Sequence, residues 1–470
     1  MWNDTVANPD ADSRAERESL SMRGDRITSA DLAAVTTEPD HADTSPFRLK
    51  NRDSKMTVAY VGLWLFLFLY LFRPGDWYQP LQSIPIAKIA GIIPALAIIV
   101  AFLTGTFRLR QESKLLLLLF LDLCVCIPFS SWRTGSLELV LFEFSKVVLI
   151  VLVLMMVTNT FKRLRQLLVL QITAMLLLTV ISLVLYTGEG RMWGKGYMFA
   201  DPNDLALNLC IIIPLCSAFM MTTRSILKKL IWILAIGVAS YAILATYSRG
   251  GFLATVAMGI AFIYQFGIKG RRYAVLPACA LAALLMFAMV ARTDYGTRLR
   301  TIFTPDDDPT NSAQSRRDLL ELSLRATAAH PLLGVGPGNF ALLGNWLQTH
   351  NTYTQLSSEA GLPALLLFLL LVRATFRNIK RVQSVVPIRS PEWAFAAALK
   401  CSFVGYLVGA FFLSTAYWFY PYLLMGYIAV LQTITTTAIE KAQTKAAEST
   451  KTTEAQIPDL NPVPWDSYGN

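Results

Sequence analysis

Residues 228–266 read KKLIWILAIGVASYAILATYSRGGFLATVAMGIAFIYQF, two long apolar runs joined at a short polar turn around Ser248, Arg249, Gly250 and Gly251. The runs occupy 228–247 and 249–266, each close to the ~20 residues that carry a helix across a bilayer. A turn this short returns the chain directly, so the pair reads as two successive crossings. Further blocks of the same kind lie near 57–72, 85–104, 115–130, 139–158, 166–187, 204–222, 273–291, 355–373, 394–414 and 416–434. The predicted fold class is all-α and polytopic, with about twelve transmembrane helices.

Composition agrees with that reading. The 470 residues are 54% hydrophobic and 16% charged, against about 25% charged in a soluble domain. Mean hydropathy is +0.46. The formal charge of +10 is unevenly spread, because residues 1–45 hold ten acids against four arginines. The basic excess therefore sits in short loops between apolar blocks, where it acts as a topology signal beside anionic lipid. No basic run is interleaved with aromatics, so nucleic acid is not an expected partner; membrane lipid is. All six cysteines fall within apolar blocks and read as small buried hydrophobes, neither a disulfide framework nor a zinc site.

Three regions are expected. Residues 1–45 form a disordered cytoplasmic tail, residues 46–440 the membrane domain, and residues 441–470 a second disordered cytoplasmic tail. No cleavable signal peptide is expected, because the first apolar block follows a long polar stretch and acts as an uncleaved anchor. Lysine and arginine accumulate in alternate loops, from Arg48, Lys50, Arg52 and Lys55 through to Arg373, Arg377, Lys380 and Arg381. That alternation places both termini in the cytoplasm. The long hydrophilic connection 292–354 then faces outward. Within it, SRRDLLELSLRATAAH (315–330) has the pattern of a short amphipathic helix, stopped by Pro331 and the turn-rich GVGPGNF.

Few residues on that outer face have chemistry to offer. His350 ends the long connection beside an apolar run, at the membrane interface. A neutral imidazole there accepts a proton, and nearby arginines favour that neutral form. A lone interfacial histidine is more often structural than catalytic. Arg249 reads either as an interfacial side chain snorkelling to headgroups or as a fork that grips phosphate oxygens. In MFADPNDLALN (198–208), Asp201, Asn203 and Asp204 are placed to cap a helix; contact with sugar hydroxyls is the second reading. His330 caps or packs at a helix end. Asp306, Asp307 and Asp308 lack the further ligands a metal site needs, so no metal and no cofactor is expected. GVGPG (334–338) lacks the strand and the Lys-Ser/Thr of a phosphate loop. Glu143 and Lys146 share a helix face and read as a buried pair.

Three stretches together resemble the O-antigen ligase and polymerase family of inner-membrane glycan transferases. They are TYSRGGFLA, the run from Arg316 through HPLLGVGPGNF, and HNTYTQLSSEAG beginning at His350. In the ligase pattern a His and an Asn, Ser or Gln are followed by nine residues and Gly-x-x-(Gly/Thr/Tyr). Here His350-Asn351 is followed by nine residues and Gly361-Leu362-Pro363, with Ala364 in the last place. FADPNDLALN is similar to a branch associated with exopolysaccharide and exosortase loci.

The resemblance implies a donor glycan linked to undecaprenyl diphosphate and an acceptor hydroxyl on a glycan, a lipid A-core or a protein. It also implies His350 as general base, with Arg249, Arg316 and the adjacent Arg317 as candidates for the donor diphosphate. Asp201, Asn203, Asp204 and Asn351 are the further candidates for substrate contact. The implied localisation is the bacterial inner membrane, with the chemistry at its periplasmic face. A polymerase, with a second lipid-linked glycan as acceptor, is the near alternative. A transporter is the alternative from another class, and would need ionisable residues at mid-membrane depth and an internal repeat.

Overall fold

The computed structural model describes residues 46–76, 86–104, 109–188, 190–194, 199–291, 294–301 and 312–455, with 78, 80 and 304 besides. The N-terminal tail, Asp306 to Asp308 and residues 456–470 lie outside the described residues. Two compact units divide the chain: Asp40–Thr436, which holds the bundle, and a second of Met1–Pro39 with Thr437–Asn470.

Every element with regular structure among the described residues is helical. In order these are α1 (Pro46–Phe72), α2 (Ile86–Leu103), α3 (Gln111–Cys126), α4 (Arg133–Val157), α5 (Phe161–Leu185), α6 (Pro202–Thr222), α7 (Ile226–Ala245) and α8 (Arg249–Lys269). There follow α9 (Val275–Ala291), α10 (Asp294–Arg300), α11 (Ser312–Ala329), α12 (Phe340–Leu343), α13 (Thr352–Val385), α14 (Pro391–Gly409) and α15 (Phe419–Ala455). Seven of the described helices are long and apolar enough to cross a membrane, and three shorter apolar helices accompany them. A described helix coincides with each of the twelve blocks read from sequence. Helix α15 continues to Ala455, past the expected start of the C-terminal tail at residue 441.

Polar caps explain where several helices begin. Thr160, Asp201, Ser225, Ser248, Asn351 and Ser390 each accept a backbone N–H from the first turn that follows, as side-chain oxygens at that position do. Helix α6 forms the centre of one layer, against α7, α8 and α14, while α13 packs on α3 and α11. One sequence expectation is corrected. Lys146 and Glu143 do pair, at 2.7 Å, but their side chains keep 33% and 59% of their accessible surface. Residues Glu138–Phe144 wind as a π-helix, and the wider turn shifts the register of the faces that follow.

Candidate active site

The site is assembled from the turn before α8, the cap of α6, the start of α11 and the start of α13. Ser248 caps α8 by accepting from Gly251 N at 3.0 Å, and its hydroxyl donates to Asn203 Oδ1 at 2.6 Å. Asn203 in turn donates twice to Asp201 Oδ1, from its backbone N at 2.6 Å and from Nδ2 at 2.8 Å. Arg191 ties the same knot from a third side: Nη2 donates to Asn203 Oδ1 at 2.9 Å, and Nε to the Thr246 carbonyl at 3.0 Å. The cap reading thus describes Asp201, while the Asn203 side chain instead bridges that cap to Ser248 and Arg191. Their hydrogen bonds fix the α7–α8 turn against α6.

That fixed turn aims Arg249. Its Nη1 donates to Thr301 Oγ1 at 2.6 Å and its Nη2 to Ser312 Oγ at 2.5 Å. Ser312 opens α11, and Arg316 follows one turn later. Arg316 is partly buried, whereas Arg317 is exposed. Burial, then the cations Arg298 and Arg316, push Arg191 down to about 10 against the opposing pull of Asp201. Arginines from four separate segments therefore converge at this end of the bundle.

His350 stands beside them in a backbone held from several directions. Its φ of 50° is left-handed, a region sparsely used by residues with a side chain. Its N–H donates to Ser414 Oγ at 2.9 Å. The hydroxyls of Thr349 and Ser414 bond at 3.0 Å, and Thr352 Oγ1 donates to the Leu413 carbonyl at 2.7 Å. Asn351 caps α13, accepting from Tyr353 N and Thr354 N at 2.9 and 3.1 Å. Burial lowers the His350 pKa first and the Arg316 cation lowers it further, while Asp201 pulls it up. All but the last favour a neutral imidazole at neutral pH, the form that accepts a proton.

Sequence reasoning missed the support under this histidine. Glu359, two turns into α13, accepts from Gly338 N at 2.9 Å and Phe340 N at 3.4 Å. The backbone of Val335 and Gly336 donates to the carbonyls of Ser358 and Glu359 at 2.8 and 2.9 Å. GVGPGNF is thus a structural wedge against α13. Gly334, with φ +63°, leaves a Cβ only 2.2 Å from the Glu359 carbonyl carbon, so no larger residue fits. Gly361 breaks the helical dihedrals of α13 at φ 82°, where Leu332 O crosses close behind it. That crossing gives a physical reason for a glycine ending the His-Asn-x9-Gly spacing. Arg191 and Glu359 carried only weak signals: one of two basic residues before DPND, and an acid inside the resemblance motif.

His330 is exposed at the end of α11. Asp204 lies in the first turn of α6, within electrostatic range of Asp201 and Tyr420. Among the described residues no group of three His, Cys, Asp or Glu stands close enough to hold a metal.

Fold and site together define a multi-pass membrane protein whose polar cluster joins several arginines to one histidine. Residues 234–369 match the family model described as O-antigen ligase, and this part of the chain carries that family's domain. The match contains Arg249, Arg316, Arg317, His350 and Asn351, while Asp201, Asn203 and Asp204 precede it. No curated protein matches the chain. The family match and the apolar helices point to a multi-pass bacterial membrane protein, and the match indicates a ligase- or glycosyltransferase-like enzyme of the O-antigen ligase kind.

Proposed function

We propose that the chain transfers a glycan from an undecaprenyl-diphosphate donor to an acceptor hydroxyl at the periplasmic face of the inner membrane. The observation that carries this reading is the juxtaposition of Arg316 with His350, whose pKa is lowered by burial and then by that cation. In the transfer, the acceptor oxygen bonds to the anomeric carbon as the bond from that carbon to the diphosphate oxygen breaks. The hydroxyl proton passes to His350. The electron pair leaves with the diphosphate, whose growing charge Arg249 and Arg316 stabilise. Displacement in one step inverts the anomeric centre. A diphosphate is already a good leaving group, and arginine forks match its oxygens in pairs, so the step needs no metal.

Within this reading Asp201 and Asn351 position the machinery through their caps and Asn203 through its bonds to Ser248 and Arg191, and Asp204 is a sugar contact. Arg317 serves the donor from the rim. With the twelve crossings read from sequence and Lys and Arg gathered in alternate loops, both termini are cytoplasmic and the arginine cluster lies on the outer side. The acceptor is a hydroxyl of a glycan, a lipid A-core or a protein.

The test is transfer by purified protein in proteoliposomes, with an undecaprenyl-diphosphate glycan, candidate acceptors and EDTA. The expected result is an inverted glycosidic product and released undecaprenyl diphosphate, both unaffected by the chelator. A ladder of lengthening lipid-linked glycan would identify a polymerase. Donor crossing the bilayer without transfer would identify a transporter.

A further inference from the structure

Two loops meet at the end of the bundle remote from the arginine and histidine site. Helix α8 runs 21 residues from Arg249 to Lys269, roughly 30 Å, and passes into the loop 270–274. Helix α13 ends at Val385 and passes into the loop 386–390. Lys269 Nζ donates to Gln383 Oε1 at 2.7 Å, and Gln383 Nε2 donates to Gln265 Oε1 at 3.0 Å. That chain ties the end of α8 to the end of α13 and holds the two loops side by side. Arg389 Nη2 then reaches across and donates to the Arg271 carbonyl at 2.8 Å.

Both arginines in this contact are left-handed, Arg271 at φ 52° and Arg389 at φ 79°. Residues with a side chain seldom take that conformation, and those that do cluster at ligand clamps and active sites. Arg272, the next residue, is partly buried. Burial and then the Arg389 cation push its pKa down, and no acid opposes them. Among the described residues none of Arg271, Arg272 and Arg389 forms an ion pair. Like charges held together in this way repel unless an anion comes between them. The surroundings say what kind of anion. Ile268, Tyr273, Val385 and Ile388 stand exposed around the arginines, and Ala274 and Ala278 continue an apolar wall from Arg272. Phosphate alone leaves that apolar surface uncovered, whereas an amphiphile meets both parts.

We propose that Arg272 and Arg389 bind the phosphodiester of an anionic phospholipid, whose acyl chains lie on the exposed apolar residues beside them. Basic pockets between membrane helices hold anionic headgroups in this way, and arginine forks match phosphate oxygens in pairs. The orientation proposed above makes this a lipid of the cytoplasmic leaflet. The site itself stands apart from glycan transfer, at the opposite end of α8 from Arg249. A lipid held there bridges the α8–α9 loop to the α13–α14 loop, and so stabilises the folded protein by mass action.

The experiment measures the thermal midpoint of delipidated full-length protein in neutral detergent. Dioleoylphosphatidylglycerol, dioleoylphosphatidylcholine or inorganic phosphate is added at one concentration. The expected result is a rise of about 3 °C or more with phosphatidylglycerol alone. That rise should vanish in the double variant Arg272→Gln, Arg389→Gln. An equal rise in the double variant overturns the assignment, as does no rise in wild type. An equal rise with phosphatidylcholine means unselective solvation by lipid, against the proposal. An equal rise with inorganic phosphate means a free-anion site and overturns the lipid assignment. A second measurement covers the case in which the double variant does not fold. Phosphatidylglycerol with a photoreactive group close to its glycerol should label segments 268–279 and 385–393 of the wild-type protein. Excess phosphatidylglycerol should suppress that labelling, and excess phosphatidylcholine should not. Labelling confined to other segments, or suppressed equally by both lipids, counts against the site. Neither measurement depends on glycan transfer, so each outcome bears on this site alone.

Discussion

The two sides of the site are built in opposite ways. On one side, α13 enters through a capped, left-handed turn and is wedged by GVGPGNF, with Glu359 and two glycines allowing backbone to touch backbone. On the other, α9 is held only at its ends and α7 packs on α6 by one side alone: the α7 span is 22% buried, against 78% for α6. The difference follows what each side handles. A proton transfer needs its base within hydrogen-bond reach and aimed, where small misplacements cost large factors in rate. Helices α7 and α9 hold no such group, and lose little if they shift.

The largest effect that should separate the two sides is on folding. Gly334→Val places a branched side chain at positive φ against the Glu359 backbone, and should abolish recovery of monodisperse protein from the membrane. Leu284→Ala, on the exposed face of α9, should leave recovery near wild type. Equal loss in both would erase the contrast.

Next come the arginines. Arg249→Ala and Arg316→Ala should each lower the transfer rate by about 10²-fold or more, the scale expected for a lost charge-stabilising donor. Exposed Arg317→Ala should cost only about threefold, since a rim charge is screened. Initial rates at saturating donor measure this, and equal losses at positions 316 and 317 would remove the distinction between them.

The pH profile sharpens the same point. Burial and Arg316 both disfavour the imidazolium of His350, so the acid limb of the rate should lie below the usual histidine value of ~6.5. The rate should rise as pH increases through that limb, because the neutral form is the active one. Arg316→Gln removes one cation and should move the limb upward. A limb that stays in place would separate Arg316 from the base. The smallest effect is expected at Thr301→Ala, which removes one partner of Arg249 and should cost about 0.5–1.5 kcal/mol of transition-state stabilisation, several-fold in rate.

The helices of the bundle were legible from sequence because the length of an apolar block is a local property. The helix at Ser312–Ala329 and the cap at Asp201 were legible for the same reason. Arg316 and Arg317 were not separable, because neighbouring residues on a helix differ only in the face they present, and packing on α13 decides that. Arg191 was missed because its partners, Thr246 and Asn203, are remote in sequence on one side and masked by an ordinary cap motif on the other. Glu359 was passed over as one acid within a motif, since its ligands are backbone amides, which sequence does not reveal. The outward turn of Glu143 and Lys146 depends on a π-helix that composition does not signal.

The most direct test of the account is the rate of glycan transfer by His350→Ala, compared with wild type in the same proteoliposomes. Both should be saturated with undecaprenyl-diphosphate glycan and acceptor, with equal thermal midpoints confirming an intact fold. The account predicts a loss of about 10²- to 10⁴-fold, the contribution of a positioned general base. Transfer undiminished in the folded variant would contradict it, leaving the arginine cluster without its base.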